Sequence, residues 1–210
     1  YDIDILAYVK SVGHLEMESD MNDLDSLREQ SESNVVRCPE PSVAKKMISL
    51  IEEVKLKGDT VGGQIFCFVK GVPAGLGEPV FDKLHADLGK AMLSINAVKG
   101  FEYGSGFEGT KMRGSEHNDV FENLDGKIIT RTNHSGGVQG GISNGETIYF
   151  KIAFKPVATI LSDQSTINES KENIKIKVQG RHDPCVLPRA VPIVESMTAL
   201  VLVDHLLRNR

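Results

Sequence analysis

The chain has 210 residues, of which 40% are hydrophobic and 25% are charged, and its formal net charge at pH 7 is −5. A chain of this length and composition can bury a full core as a soluble globular protein. Its negative charge and the lack of a dense Lys/Arg cluster argue against bulk nucleic-acid binding. The sequence contains no run of 18 apolar residues, so no membrane span is predicted. The three cysteines lack C-x-x-C spacing, so neither a disulfide framework nor a zinc site is expected.

The sequence begins Tyr1-Asp-Ile-Asp-Ile-Leu, with no initiator methionine and no targeting segment. Residues 3–12 are rich in β-branched and aromatic side chains and predict a strand. We therefore expect the chain to start partway into a fold whose N-terminal portion is missing. The cysteine usage indicates a reducing, cytoplasmic location.

The first half of the chain predicts a surface segment, a helix and a strand. Residues 16–37 are acidic and polar and are expected to form a surface excursion. A helix opens at Pro39 and Pro41 and stops at Gly58, because apolar residues recur at helical spacing. These residues are Ala44, Met47, Ile48, Ile51 and Val54. Residues 64–70 (QIFCFVK) predict a short strand between glycines.

A second helix is predicted to begin at Pro79, a residue favoured in the first helical turn. Its expected apolar face consists of Phe81, Leu84, Leu88, Met92 and Ile95. Strands are predicted at 98–103, 146–154 and 173–179. The glycine-rich, charged residues 104–127 predict a long irregular loop.

The last helix is predicted to start near Pro188 and Pro192 and to run to about Arg208. Between Met197 and Val203 it is apolar on almost every side. Such a helix is expected to be covered on more than one face, as it would be between two sheets.

Residues 130–159, TRTNHSGGVQGGISNGETIYFKIAFKPVAT, carry the strongest chemical signal. The Gly136–Gly137 and Gly140–Gly141 pairs permit a close approach of the main chain to a ligand. Hydrogen-bonding groups at Asn133 and His134 and the charge of Lys155 favour an anionic ligand. A plain glycine-rich turn between strands is the alternative.

Further polar groups at the ends of predicted elements favour a ligand site. Lys155 and Arg181 end predicted strands, and Asn96, with Ala97 behind it, ends a predicted helix. A phosphate or planar anion needs donors that converge from separate elements. Asp183 follows Arg181 and His182, and two interpretations of it remain open. In the first interpretation, Asp183 forms a satisfied ion pair. In the second, its carboxylate transfers protons beside a cofactor.

Two other motifs are better explained as structural. Residues 104–109 match G-x-G-x-x-G, but no helical pattern follows, so a dinucleotide site is not expected. Ser115, His117 and Asp119 are adjacent in sequence, whereas catalytic triads are assembled in space, and a solvated loop tip is favoured. Helical histidine pairs of the H-x-x-x-H type are absent from the sequence, so no catalytic metal is expected.

Seven long segments occur in one order along the chain: GDTVGG (58–63), VPAGLGEPVFDKL (72–84), SINAVKGFEYGSGF (94–107), GSEHND (114–119), RTNHSGGVQGGISNG (131–145), FKPVAT (154–159) and GRHDPCVLPRAVPIVE (180–195). Through these segments the chain, from about Val35 to Leu207, closely resembles the chorismate synthase family. The resemblance implies an α+β fold, a β-α-β sandwich with central helices between antiparallel sheets, assembled as a homotetramer. Residues 1–210 would be a single-domain portion, the C-terminal part that includes the FMN-binding segments.

The resemblance also implies an activity. The family converts 5-enolpyruvylshikimate 3-phosphate to chorismate by 1,4-elimination of phosphate, and it requires reduced FMN without net redox change. The flavin would lend electron density as the C–O bond breaks and recover it as a hydrogen leaves the ring. Whether such an enzyme reduces its own flavin with NADPH is left open by the sequence.

Carried onto this chain, the family's flavin contacts fall on Asn96, Ala97, Gly140, Lys155, Pro156, Val157, Ala158, Thr159 and Arg181. Asp183 matches the aspartate near flavin N5 that is proposed to assist proton transfer. The family's Gly-x-Ser-His-Gly motif and the arginine cluster for the substrate phosphate do not occur in the 210 residues. The fragment alone is therefore expected to be inactive, and the alternative function is a truncated flavin- or nucleotide-binding module without turnover.

Overall fold

The computed structural model of the chain describes residues 2–18, 24–177, 180 and 182–209. Its strands in chain order are β1 (Asp4–Val12), β2 (Leu15–Glu16), β3 (Gly63–Lys70), β4 (Val98–Tyr103), β5 (Phe121–Leu124), β6 (Lys127–Thr130), β7 (Val138–Gln139), β8 (Ile142–Ser143), β9 (Ile148–Phe154), β10 (Gln164–Ile167) and β11 (Asn173–Ile176). Its helices are α1 (Leu24–Glu32), α2 (Pro41–Leu56), α3 (Leu84–Leu93), α4 (Gly106–Gly109), α5 (Gly114–His117) and α6 (Leu187–Arg208).

Five strands form the main sheet in the order β2-β1-β3-β9-β4. The strands predicted at 3–12, 64–70, 98–103 and 146–154 are confirmed as members of this sheet. Three antiparallel hairpins, β5-β6, β7-β8 and β10-β11, stand outside it. The strand predicted at 173–179 is confirmed as β11, although residues 178 and 179 lie outside the described part of the chain.

The chain divides into two compact units. The first unit comprises Tyr1–Tyr8, Ile65–Ala153 and Val191–Arg210, and the second comprises Val9–Gln64 and Phe154–Ala190. The boundaries fall within β1, β3, β9 and α6.

Aromatic rings contact one another across the strands of the first unit. Tyr8, Phe66 and Tyr149 stack from strand to strand, with ring centroids 5.8 and 5.9 Å apart. The rings of Phe101 and Phe150 lie 5.3 Å apart, and Phe150 is fully buried. Full burial of a ring such as that of Phe150 stabilises the fold by about 1.5–3 kcal/mol, whereas Phe66, Phe101 and Tyr149 are part-buried.

In the second unit, α2 begins at Pro41 and buries Ala44 and Met47. Gly58 follows it with φ +66, a conformation that glycine adopts at little cost, so the predicted helix and its end are confirmed. The surface excursion predicted for 16–37 is wrong. Met17 and Leu27 are fully buried, and Leu27 lies on α1, because the acidic residues occupy only the outer face of this segment.

The predicted start of the second helix is also wrong. The helix begins at Leu84 rather than at Pro79, and it ends at Leu93, two residues before Ile95. Phe81 is 91% exposed and has φ +62, which is incompatible with a helical turn. The segment before the helix instead pairs within itself, since Asp82 accepts a hydrogen bond from the Glu78 N–H at 3.0 Å.

Residues 104–127 are more regular than the sequence predicted. They contain α4, α5 and β5, and β5 pairs with β6 in an antiparallel hairpin. The prediction of an irregular loop is wrong. These elements are only four residues long, and among many glycines and charged residues they are too short to show a periodic sequence pattern.

The last helix, α6, runs from Leu187 to Arg208, close to the predicted bounds. The expected cover on more than one face is not found within the described part of the chain, where Leu200 is 65% exposed and Val203 is 52% exposed. Within the same residues, α6 is the one helix whose length and composition would allow it to cross a membrane, a property shared by core helices of soluble proteins. In the first unit its buried His205 contacts Asp87 of α3 at 3.0 Å.

Candidate functional site

The side chain of Asn133 holds the glycine-rich segment of the first unit at two points. Its amide donates to the Thr147 carbonyl at 2.7 Å and accepts from the Gly137 N–H at 2.8 Å. A Cβ at Gly136 would lie only 2.5 Å from the backbone of Gly104. The Gly136–Gly137 pair therefore serves close packing of the chain on itself, as in the turn interpretation.

Gly140 differs from the neighbouring glycines. It has φ +62 in the turn between β7 and β8, and a Cβ built on it would meet nothing within 4 Å. Gly141, by contrast, is packed: its carbonyl accepts from the Leu84 N–H at 2.8 Å, and a Cβ would meet Lys83. Of this pair, Gly140 is the residue whose main chain is open to a ligand.

A cavity of about 420 Å³ adjoins Gly140. Its lining residues are Tyr103, Ser105, Gly106, His117, Asn118, Asp119, His134, Ser135, Val138, Gln139 and Gly140. The Ser105 hydroxyl and Nε2 of His117 lie 2.8 Å apart, and the rings of His117 and His134 are 5.6 Å apart. Polar groups from both the 104–119 and 131–140 segments thus face one space.

Asp119 is buried and organises one wall of this cavity. Its carboxylate accepts hydrogen bonds from the Thr132 hydroxyl at 2.7 Å and from the backbone N–H groups of His134 and Ser135 at 2.8 Å each. Burial alone would raise the pKa of Asp119, but these hydrogen bonds outweigh it and lower the pKa to about 2. The solvated loop tip predicted for this residue is wrong.

The exposed Ser115 sits on α5, and the hydroxyl partner of His117 is Ser105 instead. Sequence adjacency of Ser115, His117 and Asp119 therefore did not indicate a triad. The GSEHND motif contains three residues that line the cavity, His117, Asn118 and Asp119. The side-chain hydrogen-bond partners of His117 and Asp119 lie elsewhere in the sequence, so the motif alone did not reveal the cavity.

Asn96 and Ala97 form the tight turn between α3 and β4. The Val98 N–H donates to the Ile95 carbonyl at 3.2 Å, and Ala97 has φ +72. A left-handed conformation costs a non-glycine residue energy, and such residues cluster at ligand sites. Neither residue is among those that line the cavity beside Gly140.

The second unit holds the other predicted contacts. Lys155 to Thr159 follow β9 directly, and Lys155 and Pro156 are exposed. The Thr60 hydroxyl donates to the Val157 carbonyl at 2.7 Å. The Val61 N–H donates to the Pro184 carbonyl at 2.8 Å. Residues 60 and 61 therefore connect the loop of Lys155 and the loop of Asp183 to one short segment.

Asp183 forms an ion pair with Arg189 of the second unit, with Nη1 and Oδ2 2.8 Å apart. The satisfied ion pair is therefore present, although its partner, Arg189, was not identified from the sequence. Nε2 of His182 is buried and has no hydrogen-bond partner among the described residues, so it is a candidate donor or acceptor for a ligand. Arg181 lies outside the described residues.

The structure thus places Lys155–Thr159 and Asp183 in one unit, where the loops of both contact residues 60 and 61, and it places Gly140 beside a polar cavity in the other unit. Within residues 2–18, 24–177 and 182–209, no three His, Cys, Asp or Glu side chains form a group that could hold a metal ion. The five-stranded sheet, the separate antiparallel hairpins and the helices define, as a class, an α+β protein.

Comparison with known sequences identifies the family. The family model described as chorismate synthase matches residues 1–207, so this chain belongs to the chorismate synthase family. The chorismate synthase of Christiangramia forsetii is 64% identical over 97% of this chain, and that of Parabacteroides distasonis is 62% identical over 99% of it. The chain covers 56% and 57% of these relatives, respectively, and so spans little more than half their length.

A crystal structure of a chorismate synthase is similar over 99% of this chain and 57% of its own, with a TM-score of 0.78 and 30% sequence identity. The predicted fold class, α+β of the chorismate synthase type, is confirmed by this similarity. The family resemblance noted from the sequence motifs is confirmed as well.

Proposed function

We propose that this chain belongs to an enzyme that eliminates phosphate from 5-enolpyruvylshikimate 3-phosphate to give chorismate in aromatic amino acid biosynthesis, and that it requires reduced FMN. The observation that carries this proposal is the match of the chorismate synthase family model across residues 1–207, together with relatives of that name at 54–64% identity. Membership of the family indicates a flavin-dependent lyase acting on a small molecule.

The residues present fit a flavin. Gly140 leaves open space where any side chain would project, and Lys155 is an exposed cation. When bound, reduced FMN would supply the electron density that C–O bond cleavage requires. In this proposal, Asn96, Ala97, Gly140 and Lys155–Thr159 bind it, and Lys155 offsets its negative charge. Arg181 would add a second cation.

Asp183 is the proposed proton-handling group. Its carboxylate is part-exposed and forms an ion pair with Arg189, so it is held in place while remaining accessible. The ion pair orients the carboxylate, which is what a group that takes up a proton beside a cofactor requires. The buried Nε2 of His182 provides a neighbouring polar atom for the same ligand.

We further propose that the complete protein is a cytoplasmic homotetramer, does not bind nucleic acid or membranes, and has no metal cofactor. The truncated, inactive binding module is not favoured by the comparisons. Inactivity of the 210 residues alone remains a prediction.

Phosphate release tests the proposed activity. The complete polypeptide that contains this chain is incubated anaerobically with 5-enolpyruvylshikimate 3-phosphate and reduced FMN, and phosphate and chorismate are measured. Equal amounts of both products are expected, with none when oxidised FMN replaces reduced FMN. A folded protein that binds reduced FMN but releases no phosphate would contradict the proposal.

A further inference from the structure

The segment 58–62 is packed against two loops that the proposed function assigns to the flavin. The Gly58 carbonyl accepts from the Leu161 N–H at 2.8 Å, just beyond Thr159. The Thr60 hydroxyl donates to the Val157 carbonyl at 2.7 Å, in the middle of the loop. The Val61 N–H donates to the Pro184 carbonyl at 2.8 Å, next to Asp183.

A close backbone contact adds to these hydrogen bonds. A Cβ at Gly62 would lie 2.3 Å from the Phe154 carbonyl oxygen and 2.9 Å from the carbonyl carbon of Lys155. Because both distances are under 3.0 Å, which real Cβ atoms essentially never show, position 62 permits little besides glycine. The backbone that leads into Lys155 therefore rests directly on Gly62.

Of the contacts that segment 58–62 makes with these loops, the Thr60 hydroxyl is the one side-chain hydrogen bond, and the rest come from main-chain groups. A further side-chain hydrogen bond to the 155–159 loop comes from Gln164, whose Nε2 donates to the Ala158 carbonyl at 3.1 Å. Lys155 and Pro156 are exposed, so the loop gains little rigidity from burial of its first residues. A loop of this kind opens locally at low free energy unless hydrogen bonds restrain it. Loss of one such restraint changes the order of the loop more than the stability of the whole fold.

We propose that Thr60 is a positioning residue for the flavin: it holds the 155–159 loop at a set distance from the loop of Asp183 through the common segment 58–62. This inference rests on the proposed function, because the two loops matter together when they contact one cofactor. Thr60 itself does not touch the reacting atoms. It reduces the ordering cost that the loop would otherwise incur on binding.

The experiment compares Thr60→Val, which keeps the shape and removes the donor, with Thr60→Ser, which keeps the hydroxyl, in the complete polypeptide. Amide hydrogen exchange is measured without flavin. In Thr60→Val, exchange at Leu161 and its neighbours is expected to become about fivefold faster, while exchange in α2 stays unchanged. Thr60→Ser is expected to match the unaltered protein.

FMN titration is the second arm. Thr60→Val is expected to bind FMN about fivefold to tenfold more weakly, with Thr60→Ser within twofold of the unaltered protein. Unchanged exchange at Leu161 in Thr60→Val, or equal FMN affinity of the two variants, would overturn the positioning role. Failure of the unaltered protein to bind FMN would instead overturn the proposed function, which is a separable result because the exchange measurement needs no flavin.

Discussion

The carboxylate of Asp119 accepts a hydrogen bond from the backbone N–H of Ser135 at 2.8 Å, across sixteen positions of the chain. The same carboxylate accepts from the His134 N–H and the Thr132 hydroxyl. One buried acid thus fixes the entry to the glycine-rich turn and one wall of the cavity beside Gly140.

Replacing Asp119 with Asn is expected to destabilise the first unit by about 1–3 kcal/mol, because an amide N–H₂ would face a backbone donor that loses its acceptor. Urea unfolding of the variant measures this cost. Asp125→Asn is the matched control, since Asp125 is exposed in the turn between β5 and β6. Equal stability of the two variants would show that Asp119 does not organise the turn.

The lowered pKa of Asp119 also predicts a pH dependence. The folded-state pKa, about 2, is below the ordinary value of 3.8, so the folded state favours the ionised form. This contribution is fully present above pH 4 and is lost as the pH falls from about 4 to 2. Asp119→Asn is expected to lose less stability than the unaltered protein over that interval, as measured by unfolding at each pH.

Ser143 supports a second long-range junction, between β8 and the segment before α3. Its buried hydroxyl donates to the Pro73 carbonyl at 2.6 Å and accepts from the Leu76 N–H at 2.9 Å. Ser143→Ala leaves both groups without this partner and is expected to cost about 1–3 kcal/mol in thermal or urea unfolding. Ser49→Ala on the exposed face of α2 is the control, with an expected change within about 0.5 kcal/mol.

Lys155→Ala is expected to weaken FMN binding about tenfold to hundredfold, because a charge-assisted contact is removed from the proposed pocket. Substrate affinity, measured at saturating FMN, should change less. Lys45→Ala provides an exposed cation in the same unit as control. Equal losses of flavin and substrate affinity would contradict the assignment of Lys155 to the flavin.

Asp183→Asn is expected to keep FMN bound while lowering turnover about 10²- to 10⁴-fold, the range for loss of a general acid or base. Asp163→Asn, an exposed change in the same unit, should leave turnover unaltered. Arg189→Gln separates chemistry from the ion pair, since it removes the partner at 2.8 Å and keeps the carboxylate. Unchanged turnover of Asp183→Asn would remove this residue from the mechanism.

The cysteines give a prediction that is independent of the flavin. Cys38, Cys67 and Cys185 are free and buried. Burial raises the pKa of the Cys185 thiol to about 11 and also raises the pKa values of the other two. We expect no rapid reaction of the native protein with a thiol reagent at pH 8, and reaction of three thiols after denaturation. One fast thiol in the native protein would contradict the burial.

The sequence by itself determined the main strands, α2, α6 and the family, because apolar periodicity and long motifs are local properties of the chain. Only the tertiary structure showed that Asp119 is buried, that His117 contacts Ser105 rather than Ser115, and that Thr60 reaches Val157. The first is the burial of a side chain, and the other two are hydrogen bonds between residues that are separated in sequence. No local pattern encodes such partners, since they exist only after the backbone has brought separate segments together.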